Sequence, residues 1–217
     1  MANHVYFNIS VEGLDEEQWA TLFKSETVKR KNWNDDGEYE IEELLEVHEQ
    51  PFMSAVERTY DDEGWIENSY SWYCDNIGAK WCNIEEWENH GYITGYSAWS
   101  TPYQMVVNLM EFASNKYRTE LSAKMTYEDE FRNFIGVDYF ESYKDEDDKA
   151  YYCSHTEEYV DGNDLNAVVE EHFNCDVSDE DFEWWAEREN QYGEMQEPSE
   201  FADDVVYEFF ETGEWTR

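Results

Sequence analysis

Cations are scarce in this chain. Fourteen Lys and Arg stand against fifty-four Asp and Glu, a formal net charge of −40 over 217 residues. That deficit argues against a basic groove for nucleic acid and against adhesion to an anionic membrane, because net charge governs partners and solubility rather than fold. Long apolar runs are also missing, and nothing approaches the roughly 20 residues that a membrane-spanning helix needs. The opening residues lack the basic and apolar regions of a secretory signal. Cysteine is sparse too: Cys74, Cys82, Cys153 and Cys175 do not suggest a disulfide scaffold in a chain this long. A reducing cytoplasm is the expected compartment, with a Cys74–Cys82 bridge left open.

Aromatic residues are abundant by contrast. Ten Trp, seventeen Tyr and twelve Phe supply enough apolar area for a core, whereas chains this charged without aromatics are usually disordered. The expectation is therefore a folded protein with an anionic shell. Duplex DNA carries about one charge per ~1.7 Å of axis, so forty charges match roughly 68 Å of duplex. A compact chain of this length has a radius of gyration near ~17 Å, so a DNA-like charge density over the whole molecule is physically attainable.

The charge is uneven. Residues 1–81 carry net −13, residues 82–140 net −5, and residues 141–217 net −22. The expected organisation is an α+β domain over 1–143 and an acidic helical extension over 144–217 packed on it.

Val5, Phe7, Ile9 and Val11 alternate with polar neighbours, which predicts a half-buried strand. Asp15 with Gln18 predicts a capped helix start into Trp19 and Leu22. Glu38–Gln50 shows helical spacing, with Ile41, Leu44 and Leu45 opposite Glu38, Glu42 and Glu46. Ser69–Cys74 and Tyr92–Trp99 are aromatic and turn-bounded, as strands tend to be. Pro102 opens a helix whose stripe is Met105, Val106, Leu109, Met110 and Phe112. Leu121–Tyr127 and Val137–Tyr143 predict two more strands. In the tail, helices are expected after Asp164, after Ser178 (with Asp181 as a capping box) and after Pro198.

Three segments carry a recognisable pattern: Gly78-Ala79-Lys80-Trp81, Gly95-Tyr96-Ser97-Ala98-Trp99-Ser100-Thr101-Pro102, and Tyr127-Glu128-Asp129-Glu130 with Asn133-Phe134-Ile135-Gly136. Together they resemble the YubB-type ferredoxin-like family of phage and plasmid proteins. The resemblance covers about residues 1–143, departs at Ala79 and Thr101, and has no counterpart in 144–217. It implies a ferredoxin-like antiparallel sheet packed with helices, a phage or mobile-element origin, and no established activity.

Catalytic signatures are missing: there is no Gly-rich phosphate loop, no G-x-S-x-G elbow and no H-E-x-x-H. No catalytic residue, metal or cofactor is expected. Trp72, Trp81, Trp87 and Trp99 are read as core and sheet packing, since base stacking needs a cationic groove. Lys29-Arg30-Lys31 is read as a short solvated patch. Cys153, His155, His172 and Cys175 are weighed as zinc ligands and set aside for their unusual spacing. Asp61-Asp62-Glu63-Gly64 and the run at Asp145 lack a calcium-loop pattern.

The expected partner surface is acidic. It comprises Asp145, Glu146, Asp147 and Asp148, then Glu180, Glu183, Trp184 and Glu187, then Asp203, Asp204, Tyr207, Glu208 and Glu211. Like charges spaced four apart on a helix repel by a few tenths of a kcal/mol each, a cost that a merely solvated helix has no need to carry. The expected function is non-enzymatic: a cytoplasmic phage protein that binds and inhibits a host DNA- or RNA-handling protein by DNA-mimic-like electrostatics. The class includes defence nucleases, restriction or CRISPR effectors, polymerase and topoisomerases. Direct nucleic-acid or membrane binding is not expected. The competing expectation is a generic interaction module, acidic for solubility or salt.

Overall fold

The strong alternation at the N-terminus produces β1 (His4–Glu12), whose Val5, Phe7, Ile9 and Val11 are buried. The computed structural model describes residues 3–22, 27–45, 56, 58–88, 91–130, 134–147, 149–161 and 212. After β1, Asp15 and Gln18 form the expected reciprocal capping box at the start of α1 (Glu16–Ala20), which buries Trp19.

β2 (Thr27–Trp33) and β3 (Tyr39–Leu45) follow as a two-stranded antiparallel hairpin. The helix expected over Glu38–Gln50 is thus a strand as far as Leu45, and residues 46–50 lie outside the described set. A tight turn before the segment and its pairing with β2 decide this. Asn34 Oδ1 accepts from the N–H groups of Asp36 at 3.1 Å and Glu38 at 2.8 Å, with Gly37 at φ +79° closing the turn. The pairing then sets the basic run of β2 against the acids of β3, with Lys29 Nζ 3.1 Å from Glu43 and Lys31 over the Tyr39 ring. Opposite charges facing across strands stabilise by a few tenths of a kcal/mol.

Ser69–Asn76 forms α2, not the expected strand. Aromatic content suggested β structure, but Asn68 at φ +51° starts a helix that buries Tyr73, and Gly78 at φ +92° ends it. β4 (Cys82–Glu88), β5 (Tyr92–Ala98), α3 (Tyr103–Tyr117), β6 (Ser122–Asp129), β7 (Phe134–Lys144) and β8 (Tyr151–Asp161) complete the order. β5, α3, β6 and β7 fall where the sequence places them. β8 was expected to be part of a helical extension and is a strand of the sheet, joined to β7 by a tight turn. Cross-strand pairing with β7 gives its residues 151–161 a partner that no local pattern reveals. The helices expected after Asp164, Ser178 and Pro198 lie outside the described residues.

Six strands make one antiparallel sheet in the order β4-β5-β1-β6-β7-β8. β5 and β6 both flank β1, so the connection through α3 steps past β1, and α3 itself packs mainly over β7 and β8 on one face of the sheet. Its Met105, Val106, Leu109, Met110 and Ala113 pack with Phe7, Ile9, Ile93, Met125 and Phe140 in one core. Asn115 ties helix to sheet: its Nδ2 donates to Tyr151 O at 2.8 Å while its Oδ1 accepts from Tyr151 N–H at 3.0 Å. No described helix is long and apolar enough to cross a membrane.

Candidate functional site

The face of β4-β5-β1-β6 turned away from α3 carries an aromatic cluster. Register places His4 and Tyr6 of β1 beside Tyr96 of β5 on this side, since the intervening Val5 and Phe7 enter the core. His4 sits at the centre. Its ring lies 5.4 Å from Trp81 at 75°, 5.1 Å from Tyr96 and 6.3 Å from Tyr6, and Trp81 meets Tyr96 edge-on at 5.8 Å. Edge-to-face contacts set the positive edge of one ring against the negative face of its neighbour and fix the rings relative to one another. Tyr6 stays 40% exposed.

Carboxylates rim the cluster. Glu130 follows β6 and its Oε2 accepts from the His4 backbone N–H at 3.1 Å, while its own N–H donates to His4 O at 2.8 Å. The side chains of His4 and Glu130 approach to 3.8 Å. On β4 a bulge between Ile84 and Glu86 shifts the register. Ile84 pairs into the core and Glu86 opposite Thr94 on the open face, so the bulge brings Glu85 and Glu86 to the same side. Burial raises the Tyr6 hydroxyl above its ordinary range, and Glu130 and Glu85 raise it further.

Beside this cluster two of the motif segments, 78–81 and 95–102, meet. Ser100 Oγ donates to Gly78 O at 2.8 Å, Ser97 Oγ to Ser100 O at 2.6 Å, and Ala98 N–H to Trp81 O at 3.0 Å. A shallow groove of about 400 Å³ lies between them, lined by Tyr70, Cys74, Gly78, Lys80, Trp99 and Ser100. Trp99 stands at φ +71° with its ring 59% exposed. It was expected in the core with Trp72, Trp81 and Trp87, which do pack against it. A bulky residue in the left-handed region costs of order 1–3 kcal/mol and is held only by its surroundings. Here the Trp99 N–H donates to Asn3 O at 3.1 Å.

A third cluster lies beneath the sheet. Tyr127, Asp138 and Glu157 share the α3 face, because Met125 pairs with Asp138 and Asp138 with Glu157. Asp138 is buried, and its Oδ1 has no hydrogen-bond partner among the described residues. Its carboxyl is pushed up to about 7, chiefly by desolvation and next by the neighbouring Glu157, with the Tyr127 hydrogen bond opposing both. Sequence reading missed this group, since acidic residues are everywhere in the chain and only pairing brings these two together.

Of the expected partner surface, the described residues are Asp145, Glu146 and Asp147 at the β7–β8 turn. Asp145 serves the turn: its Oδ1 accepts from Lys149 N–H at 2.6 Å and Ala150 N–H at 3.1 Å. Asp147 pairs with Lys149 Nζ at 2.8 Å, and Glu146 is exposed. Asp148, Glu180, Glu183, Trp184, Glu187, Asp203, Asp204, Tyr207, Glu208 and Glu211 lie outside the described residues. Asp61 likewise closes a turn, accepting from Glu63 and Trp65 N–H groups at 2.9 Å. His155 stacks on Tyr103 at 5.7 Å and Phe140 at 5.8 Å. Cys153 is half-buried, and its thiol is pushed up to about 11, chiefly by burial. His172 and Cys175 lie outside the described residues, and no metal-ligating cluster occurs among those described.

Of the basic run expected as a solvated patch, Lys29 is exposed but Arg30 is not. Arg30 is buried, its guanidinium 4.2 Å from the Trp65 ring centroid and its Nε donating to Gly64 O at 3.4 Å. Lys29 is taken by Glu43.

The chain matches no family model, no curated protein and no solved structure. Fold and site together define an α+β protein, mostly antiparallel sheet, with one sheet face under a helix and an aromatic, acid-rimmed patch on the other.

Proposed function

We propose that this chain is a non-enzymatic acidic binding protein that occupies the polyanion site of a DNA- or RNA-handling protein and blocks it. The observation that carries the reading is the charge: −40 overall, with the basic run Lys29 to Lys31 set beside Glu43, Trp65 and Tyr39 of the same chain. Such a field steers association with a cationic groove and makes it salt-sensitive. The densest charge, in 141–217, is the part assigned to the partner's phosphate-binding surface, with Tyr207 and Trp184 as aromatic anchors.

The strand order β4-β5-β1-β6, with the connection through α3 stepping past β1, supports a ferredoxin-like reading of the core, elaborated by β7 and β8. The three motif segments support an origin in a phage or plasmid, where an inhibitor of host defence or transcription has a use.

The test is competition. The purified chain, immobilised, is expected to retain a nucleic-acid-binding protein that duplex DNA displaces and moderate salt releases. Neutralising Asp203, Asp204, Glu208 and Glu211 together is expected to weaken that capture at least tenfold, given a coupling of about 1.4 kcal/mol or more. Capture indifferent to both DNA and salt, or unchanged after neutralisation, removes the tail-centred reading in favour of a generic acidic module.

A further inference from the structure

We propose that the exposed patch around Tyr6 and Tyr96, on the sheet face turned away from α3, is a docking site for an arginine side chain of a protein partner, with Tyr6 and Tyr96 as the stacking surface and Glu130 and Glu85 as its carboxylate partners. The inference rests on the reading that this chain engages a cationic protein, and it names the part of the surface that supplies selectivity.

Several features of the site point to a cation and to arginine in particular. Aromatic faces attract a cation through their quadrupole, and the attraction grows when the site is partly desolvated. Tyr6, Tyr96, His4 and Trp81 form a continuous ring cluster, and Tyr6 and Tyr96 lie 6.2 Å apart at 55°. Carboxylates stand at both sides of it. Glu130 is fixed by the His4 N–H, so it is pre-organised and loses little freedom on pairing. Glu85 is presented by a β-bulge, a device that re-aims a side chain without ending the strand. Both carboxylates act on the Tyr6 hydroxyl, which places their charge at the stacking surface. An anion or a neutral apolar side chain would meet these carboxylates at a cost. A planar guanidinium satisfies rings and carboxylate together, because it stacks on aromatic faces and bonds a carboxylate through two parallel N–H groups. An ammonium lacks that planar fork.

The experiment uses the full chain and two defined probes: peptides of equal length and charge, one arginine-rich and one lysine-rich, titrated calorimetrically at about 0.15 M salt. The arginine peptide is expected to bind about fivefold tighter or more, the scale of a partly desolvated cation–π contact. Tyr6→Leu and Glu130→Gln are each expected to remove most of that preference while leaving lysine-peptide affinity within about twofold. Tyr6→Phe, which keeps the ring face, is expected to retain it, and Glu85→Gln provides a second carboxylate variant with no role in the β1–β6 connection.

Equal affinity for the two peptides overturns the inference, as does an arginine preference that survives Tyr6→Leu and Glu130→Gln in variants with unchanged circular dichroism. In those outcomes, salt-sensitive binding of both peptides leaves the electrostatic reading standing. Binding of neither peptide removes both readings. An arginine preference lost in the variants supports the docking site even where no polyanion-site partner is captured.

Discussion

The Tyr127 hydroxyl donates to Glu157 Oε1 across 2.9 Å, reaching from β6 over β7 to β8. The tyrosine ring has room to do so because its cross-strand partner is Gly136, where any Cβ would collide with the Tyr127 hydroxyl and ring. Beside that bond lies Asp138, buried, with one oxygen unpartnered among the described residues and its carboxyl pushed up to about 7.

A pH dependence of known sign follows from Asp138. An unfolded Asp titrates near ~3.9, so between about pH 4 and about pH 7 the folded state holds a proton that the unfolded state has released. Stability from this group is therefore full below the lower value and falls as pH rises through the upper one. A three-unit separation corresponds to about 4 kcal/mol. Asp138→Asn is expected to flatten the difference in chemical-denaturation midpoint between about pH 5 and about pH 8, and to be the more stable protein at the higher pH. Parallel pH curves for the two proteins would contradict the assignment.

Asn115 offers a second test, because its side chain pairs with both backbone groups of Tyr151. Asn115→Leu leaves a buried donor and acceptor without partners, at an expected cost of about 2 kcal/mol or more. Hydrogen exchange should show β8 losing protection before β1 and β5 do. Uniform loss across the sheet would mean that the pair does not latch β8.

The hairpin of β2 and β3 is anchored at Gly64, which stands at φ +86° with Lys29 O where a Cβ would go. Lys31 N–H donates to Glu63 O at 3.1 Å beside it. Gly64→Ala is expected to release this anchor, exposing the Lys31 amide to exchange and raising Trp65 accessibility, with the core strands unaffected. Unchanged protection at Lys31 would show that the hairpin holds itself in place.

Thiol chemistry gives the fourth prediction. Cys74 is exposed and Cys82 is buried, with its thiol pushed up by desolvation. Because the thiolate is the reactive form, alkylation of the native protein followed by peptide mapping should label Cys74 and spare Cys82. Equal labelling would require a native state that opens around β4. Both thiols are free, so the Cys74–Cys82 bridge left open by sequence is not formed.

What was legible in the sequence tracked how local the deciding interaction is. β1 and β6 announced themselves through alternation, β5 through aromatics between turns, and the Asp15–Gln18 box through spacing, because in each case the pattern and its physical cause lie within a few residues. The hairpin and α2 were misread for the opposite reason. Ile41, Leu44 and Leu45 fit a helix by spacing, yet the bases that make Tyr39–Leu45 a strand lie ten residues upstream. Aromatics in Ser69–Cys74 raised β propensity, which packing overrides readily. Trp99 carried no local sign of its left-handed backbone.

The candidate site followed the same division. Sequence alone determined the charge and its excess in 141–217, the scarcity of cations, the supply of aromatic area and the absence of familiar catalytic motifs. Those are sums over the chain and need no coordinates. Only the tertiary structure decided which aromatics share a face, that a bulge turns Glu85 toward Tyr6, that Glu130 is held by His4, and that Arg30 is buried under Trp65. Each depends on residues far apart in the chain, and strand register brings them within reach of one another.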